Sequence, residues 1–131
     1  MGAPTNVELN VVSMKAGGTV NANRLVKLDS TEGQVVVTTA ITESTFGVSL
    51  NTVASGAAVS VEIGSGAQVK VTAGATIAVG DRLMPLASGA GKVAVAAGAT
   101  AVDCGVAMSA GGDGETIVMR LNPMGKSPAN S

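Results

Sequence analysis

Side chains able to do chemistry are scarce in this 131-residue chain, and no complete catalytic set can be assembled from neighbours in sequence. His, Trp and Tyr are absent, and Cys and Phe occur once each. That inventory excludes an imidazole base, a Cys/His zinc site, a disulfide within the chain and an aromatic base-stacking platform. The one thiol, Cys104, lies in Val102-Asp103-Cys104-Gly105-Val106-Ala107-Met108. A nucleophilic cysteine needs a neighbour that lowers its pKa, and Asp103 works the other way. Cys104 is therefore expected as a small buried hydrophobe. Ser88-Gly89-Ala90-Gly91-Lys92 ends like a phosphate-cradling loop. Leu86 and Val93 stand where such a loop needs Gly and Ser or Thr, and a strand-like run follows, so the segment reads as a β-turn.

Lys15 precedes Gly17-Gly18, much as biotinyl and lipoyl carrier domains display a lysine on a hairpin. Ala16 replaces the usual hydrophobic residue and the acidic neighbours are missing, so Lys15 reads as a solvated turn lysine. The nine carboxylates are Glu8, Asp29, Glu32, Glu43, Glu62, Asp81, Asp103, Asp113 and Glu115, scattered along the chain. Asp113-Gly114-Glu115 lacks the ligand count of a calcium loop. The expectation is a non-enzyme with no catalytic, cofactor-binding or metal-binding residues. A pair of carboxylates brought together in space from distant positions stays open at this level.

The elements that would position any site are strands. Ile117, Met119 and Leu121 alternate with Thr116, Val118 and Arg120, and Val7, Leu9 and Val11 share a face opposite Glu8 and Asn10. Val26 and Leu28 alternate with Leu25, Lys27 and Asp29, and Val93 with Val95 repeats the pattern. Val59 to Ile63 and Gln68 to Thr72, joined by Gly64-Ser65-Gly66, predict a hairpin with one buried face. Short Gly-rich links recur, and no run has helical spacing between caps. At most one helical turn fits, around Thr39 to Ser44. The prediction is all-β: a small β-barrel or β-tulip-like single domain with little or no helix. Ala73-Gly74-Ala75-Thr76 recurs as Ala97-Gly98-Ala99-Thr100, and Ser55-Gly56-Ala57-Ala58 echoes it at an unequal distance, which reads as reused turn chemistry rather than a solenoid.

Composition bears on partners. Charged residues make up 13% and the formal net charge is -1, against a usual charged share of about 25%, so no nucleic-acid footprint is present. Hydrophobic residues reach 46%, mostly Val and Ala. Such a chain has a thin core and sticky flanks, which points to burial against other chains. No secretory signal, myristoylation site or membrane span is visible, so the expectation is a soluble protein made in the cytoplasm. By pattern, residues 1–8 form an N-terminal arm, 9–122 the β domain and 123–131 a flexible C-terminal tail. The arm is suited to ordering on a neighbour by strand addition.

Gly17-Gly18-Thr19-Val20, Leu25-Val26-Lys27-Leu28-Asp29, Phe46-Gly47-Val48 and Gly56-Ala57-Ala58-Val59-Ser60-Val61 occur in that order. Ile77-Ala78-Val79-Gly80-Asp81-Arg82-Leu83, Gly105-Val106-Ala107 and Val118-Met119-Arg120-Leu121 follow. Over roughly residues 7–121 the chain resembles the small bacteriophage capsid cement, or head-decoration, proteins. The resemblance implies a homotrimer on the virion capsid exterior, made in the host cytoplasm. It would bind the major capsid protein at three-fold and quasi-three-fold positions of an expanded icosahedral head and stabilise the head against internal DNA pressure. It also implies that Ala3, Pro4, Thr5, Asn6, Val7 and Glu8 form the capsid-binding arm. The alternative is a carbohydrate- or surface-binding β module of a phage tail or adhesin, for which only Phe46 offers an aromatic. A third possibility is a carrier domain using Lys15. No nucleic acid, membrane or cofactor is expected.

Overall fold

The structure is a computed structural model and describes residues 10–87, 90–96 and 102–122. Ten strands form: β1 (Val11–Ala16), β2 (Leu25–Leu28), β3 (Gln34–Val37), β4 (Gly47–Ser49), β5 (Ala58–Glu62), β6 (Gln68–Thr72), β7 (Arg82–Pro85), β8 (Val93–Val95), β9 (Gly105–Ala107) and β10 (Thr116–Leu121). No helix occurs among the described residues, so the all-β expectation holds. The segment after Thr38 is a turn rather than a helical one. Glu43 folds back so that Oε1 accepts from the amides of Thr39 (2.6 Å) and Ala40 (3.1 Å), which spends the local donors without a helix.

β1 to β5 make a closed barrel in the order β1-β3-β2-β4-β5, and β6 to β10 make a five-stranded sheet in the order β6-β10-β9-β7-β8. These are the same topology. Going round from β1 gives β5, β4, β2 and β3; going along from β6 gives β10, β9, β7 and β8. The two edges of the sheet meet at one parallel bridge, Ala73 to Val93, the counterpart of the parallel pair Ala16 to Val35 that closes the barrel. Val20 bridges Val53 as Ile77 bridges Gly111. Val48 opposes Glu62 as Val106 opposes Arg120. Counterparts lie 57 positions apart up to β2, as Val20 and Ile77 do, and 58 apart from β3 onward, as Val35 and Val93 do. Left-handed backbone recurs in register at Asn23 and Gly80, Gly33 and Gly91, and Gly56 and Gly114. The chain is thus a tandem duplication of one five-strand unit. The Ala73 to Thr76 motif has its structural counterpart in Ala16-Gly17-Gly18-Thr19, not in residues 97–100, which lie outside the described residues along with 101.

Each unit has its own apolar interior. Val20, Val26, Val35, Val59 and Val61 fill the first, with Val12, Met14 and Phe46 packed at its margin. Val71, Ile77, Leu83, Val93, Ile117, Met119 and Leu121 fill the second. Each fully buried Val, Leu or Ile contributes roughly 1.5–3 kcal/mol, and Leu25 and Val48 of the first barrel add to the second interior.

Three sequence expectations need correction. β5 and β6 are not a hairpin: β5 pairs with β1 and β4, β6 pairs with β10, and the Gly64 to Ala67 turn passes the chain from one unit to the next. Val59, Val61, Val69 and Val71 are buried as their alternation requires. Alternation reports which face is covered, not which strand lies alongside. In β1 the inward residues are Val12, Met14 and Ala16, while Val11 is 45% exposed; Val7 and Leu9 lie outside the described residues. In β2 Leu25 and Val26 are both buried and Leu28 is half exposed, because Val26 faces its own barrel and Leu25 faces the second unit.

Candidate interaction surfaces

The outer face of the barrel carries a cross-strand row, Leu25–Val48–Glu62–Val11. Leu25, Val48 and Glu62 are no more than 1% exposed, and the first two belong to the core of the second unit. The second unit delivers the loop before β8 to this face. Leu25 N donates to Gly91 O (2.7 Å), Gly91 N donates to Thr38 O (3.1 Å), and Arg24 Nη1 donates to Ala90 O (2.8 Å). Glu62 has a further duty: Oε2 accepts from Asn10 N and Gly64 N, each at 2.9 Å. A buried carboxylate that accepts two amides fixes both the start of β1 and the crossing into the second unit.

The duplicate of this row is Arg82–Val106–Arg120–Gln68, and all four are exposed. Arg82 pairs with Asp103, its Nε 3.0 Å from Oδ2. Arg120 has no ion-pair partner among the described residues. Beside it opens a cleft of about 270 Å³ lined by Ser65, Gly66, Val106, Arg120, Leu121 and Asn122. A second cleft, of about 250 Å³, lies beside Lys27, Leu28, Glu43 and Ser44.

The residues singled out for chemistry take structural posts. Ala3 to Glu8, and the tail over 123–131, lie outside the described residues. Lys15 is not at a turn: it sits within β1, opposite Gln34 of β3 and Ala58 of β5, and points to solvent. Ala90-Gly91 is a turn running toward β8, as its sequence suggests. Phe46 is partly buried and packs at the margin of the barrel core. The acids hold turns: Asp29 Oδ1 accepts from Ser30 N (2.8 Å), Asp81 Oδ2 from Ala78 N (2.8 Å) and Glu115 Oε1 from Gly112 N (2.6 Å).

Cys104 is fully buried, with Sγ 3.8 Å from Met119 Sδ. Burial, and then the charge of Asp103, push its thiol far above the ordinary range. It follows that a thiol reagent should leave the native protein unlabelled at neutral pH and modify one site per chain in denaturant; rapid native labelling would contradict this.

Burial raises the Glu43 carboxyl, but hydrogen bonds from Lys27 Nζ and the amides of Thr39 and Ala40, with the Lys27 charge, outweigh it and hold the group below 4.5. A depressed carboxyl stabilises the fold above its unfolded-state value, and that contribution is lost as pH falls through the folded-state value. Thermal melts from about pH 6 to about pH 3 should therefore decline more steeply for the natural chain than for Glu43→Gln. Parallel declines would show that this turn is not coupled to folding.

No family model matches the chain, and neither does any curated protein. Among solved structures it is similar to the N base of the head fiber gp8.5 of bacteriophage phi29, with a TM-score of 0.70 at 20% sequence identity. The match covers 91% of this chain and 98% of that chain. It therefore takes in both five-strand units, and at this identity it is the fold that is shared.

Proposed function

We propose that the chain is a non-enzymatic structural protein of a phage virion, a homotrimeric decoration protein of the head. On this reading it binds the major capsid protein on the outside of an expanded icosahedral head, at three-fold and quasi-three-fold positions, and stabilises the shell against internal DNA pressure. The observation that carries the proposal is the likeness of nearly the whole fold to the base of a phage head fiber. The surfaces support it. The acids with assigned contacts hold backbone amides or neighbouring arginine and lysine, the lone thiol is sealed, and the exposed surface carries apolar residues, Val106 on strand β9 and Val79 and Met108 in the links beside it. Many modest contacts gain through symmetry, because linking three sites raises the effective concentration at each.

Residues 3–8 are proposed as the arm that adds a strand to the capsid protein. Purified chain should co-sediment with expanded heads of the cognate capsid protein and not with unexpanded ones, and decorated heads should resist heating better than bare heads. Removing residues 1–8 should lower occupancy at least tenfold. Equal binding to both head forms would overturn the proposal, and undiminished binding after the deletion would remove the arm from it.

A further inference from the structure

The duplication leaves the molecule with one used contact and two unused halves of the same contact. In the used one, the loop before β8 is the plug, and Arg24, Leu25 and Thr38 at the end of the outer row of the first barrel receive it as the socket, with Val48 of the row buried in the second unit's core. Gly91 of the plug is buried so closely that a Cβ there would lie 2.7 Å from Leu25 O. Gly33, its counterpart 58 positions earlier with the same left-handed backbone, has open space around it. On the socket side Leu25 and Val48 are fully buried, whereas the counterpart Val106 is 40% exposed and the counterpart Arg82 is open to solvent. The free plug, Glu32-Gly33, and the free socket, Arg82–Val106–Arg120, belong to different units of one chain.

We infer that the free socket receives the Glu32-Gly33 loop of a second copy, so that copies associate head to tail through a repetition of the contact within each chain. The occupant is specified by the chain's own interior, which seats the duplicate of this loop against Leu25 at the end of the duplicate row. The charges fit in outline. Glu32 has no cation partner and Arg120 no acid partner among the described residues, while Arg82, which replaces Leu25 at the row's end, is already held by Asp103. Asp81 stands where Arg24 stands in the used contact, so the Arg24 to Ala90 hydrogen bond has no equivalent there; the Asp81 carboxylate is already held by Ala78 N. A contact between two different patches is heterologous, and a finite assembly of this kind closes as a ring. The inference rests on the proposed self-association but not on head binding, and its test uses no heads.

Two single-cysteine additions, Glu32→Cys and Val106→Cys, are purified separately and treated with a short bis-maleimide, alone and mixed. Each maleimide adds one thiol across its double bond, so no oxidant is needed, and the sealed Cys104 stays silent. The expected result is a cross-linked dimer in the mixture and none with either variant alone, and cross-linking that ends at the trimer from the double variant. No cross-link in the mixture, or self-linking of Val106→Cys alone, would overturn the inference. As an independent measurement, Val106→Arg should reduce the light-scattering mass to the 12.6 kDa of one chain while its circular dichroism spectrum stays that of the natural protein. A mass unchanged from the natural protein's, or a natural protein already at 12.6 kDa, would also overturn it. An assembly that persists without the Glu32 to Val106 cross-link would leave the trimer reading standing and remove only this contact.

Discussion

Replacing Gly105 by Ala should destabilise the protein by about 3–5 kcal/mol, lowering the melting temperature by roughly 10–15 °C. A Cβ at this position would lie 2.3 Å from the carbonyl oxygen of Arg120 and 2.7 Å from Met119 Cγ. The first obstacle is backbone, fixed by the β9–β10 pairing, so the strand must separate or tilt to admit a methyl group. Gly47 occupies the same post in the first barrel, where a Cβ would meet Glu62 O at 2.4 Å. Gly47→Ala should cost about as much, and the equality of the two losses is a direct check on the duplication. Gly18→Ala is the control: nothing lies within 4 Å of its Cβ position, and its effect should stay within about 0.5 kcal/mol. Thermal melts of the three variants decide the matter; a tolerated Gly105→Ala would show that β9 does not approach β10 so closely.

The second large effect is at Glu62. Its side chain is 1% exposed and accepts the amides of Asn10 and Gly64. Glu62→Leu keeps much of the volume but removes the one oxygen, Oε2, that accepts both amides, leaving the buried Gly64 donor and the part-buried Asn10 donor without it. An unsatisfied buried donor costs roughly 1–3 kcal/mol, and because Asn10 is open to water and only Gly64 is buried, the two together should cost about 2–4 kcal/mol. Glu62→Gln can place its carbonyl oxygen where Oε2 stands, accept both amides without the charge, and should recover most of that loss. The readout is the urea midpoint with its slope: a lowered midpoint at unchanged slope is the expected result. If Glu62→Leu matched or exceeded the natural chain, the carboxylate would be a burden rather than a clamp.

These two residues also mark what could and could not be read along the chain. The strand content was legible because alternation is strong wherever one face is buried, as at Ile117, Met119 and Leu121. Cys104 was legible because nothing near it could make a thiolate. The false hairpin over 59–72 arose because both strands alternate correctly and a Gly-rich link joins them, while their partners, β1 and β10, lie some fifty positions away in sequence. The duplication was obscured by the residues that differ most between the units, which are those of the outer row. Leu25 against Arg82 and Glu62 against Arg120 reverse polarity, since one row is covered and the other open. The signal that survives is small: Gly47-Val48-Ser49 against Gly105-Val106-Ala107, and Ala16-Gly17 against Ala73-Gly74. Gly47 and Gly105 are kept because a backbone carbonyl approaches too closely for a side chain, and Gly17 and Gly74 because neighbouring side chains, Val36 and Leu86, occupy the space. One residue more between β7 and β8 than between β2 and β3 shifts the offset from 57 to 58, which blurs any search at a fixed period.

The proposal that this chain works by holding copies of itself and a shell together is tested most directly by electron microscopy of cognate expanded heads incubated with the purified full chain. The account predicts density on the outer surface at three-fold and quasi-three-fold positions, each site fitted by three copies of the paired five-strand fold. Heads bare at those positions, or density confined to a tail or to the inner surface, would contradict it.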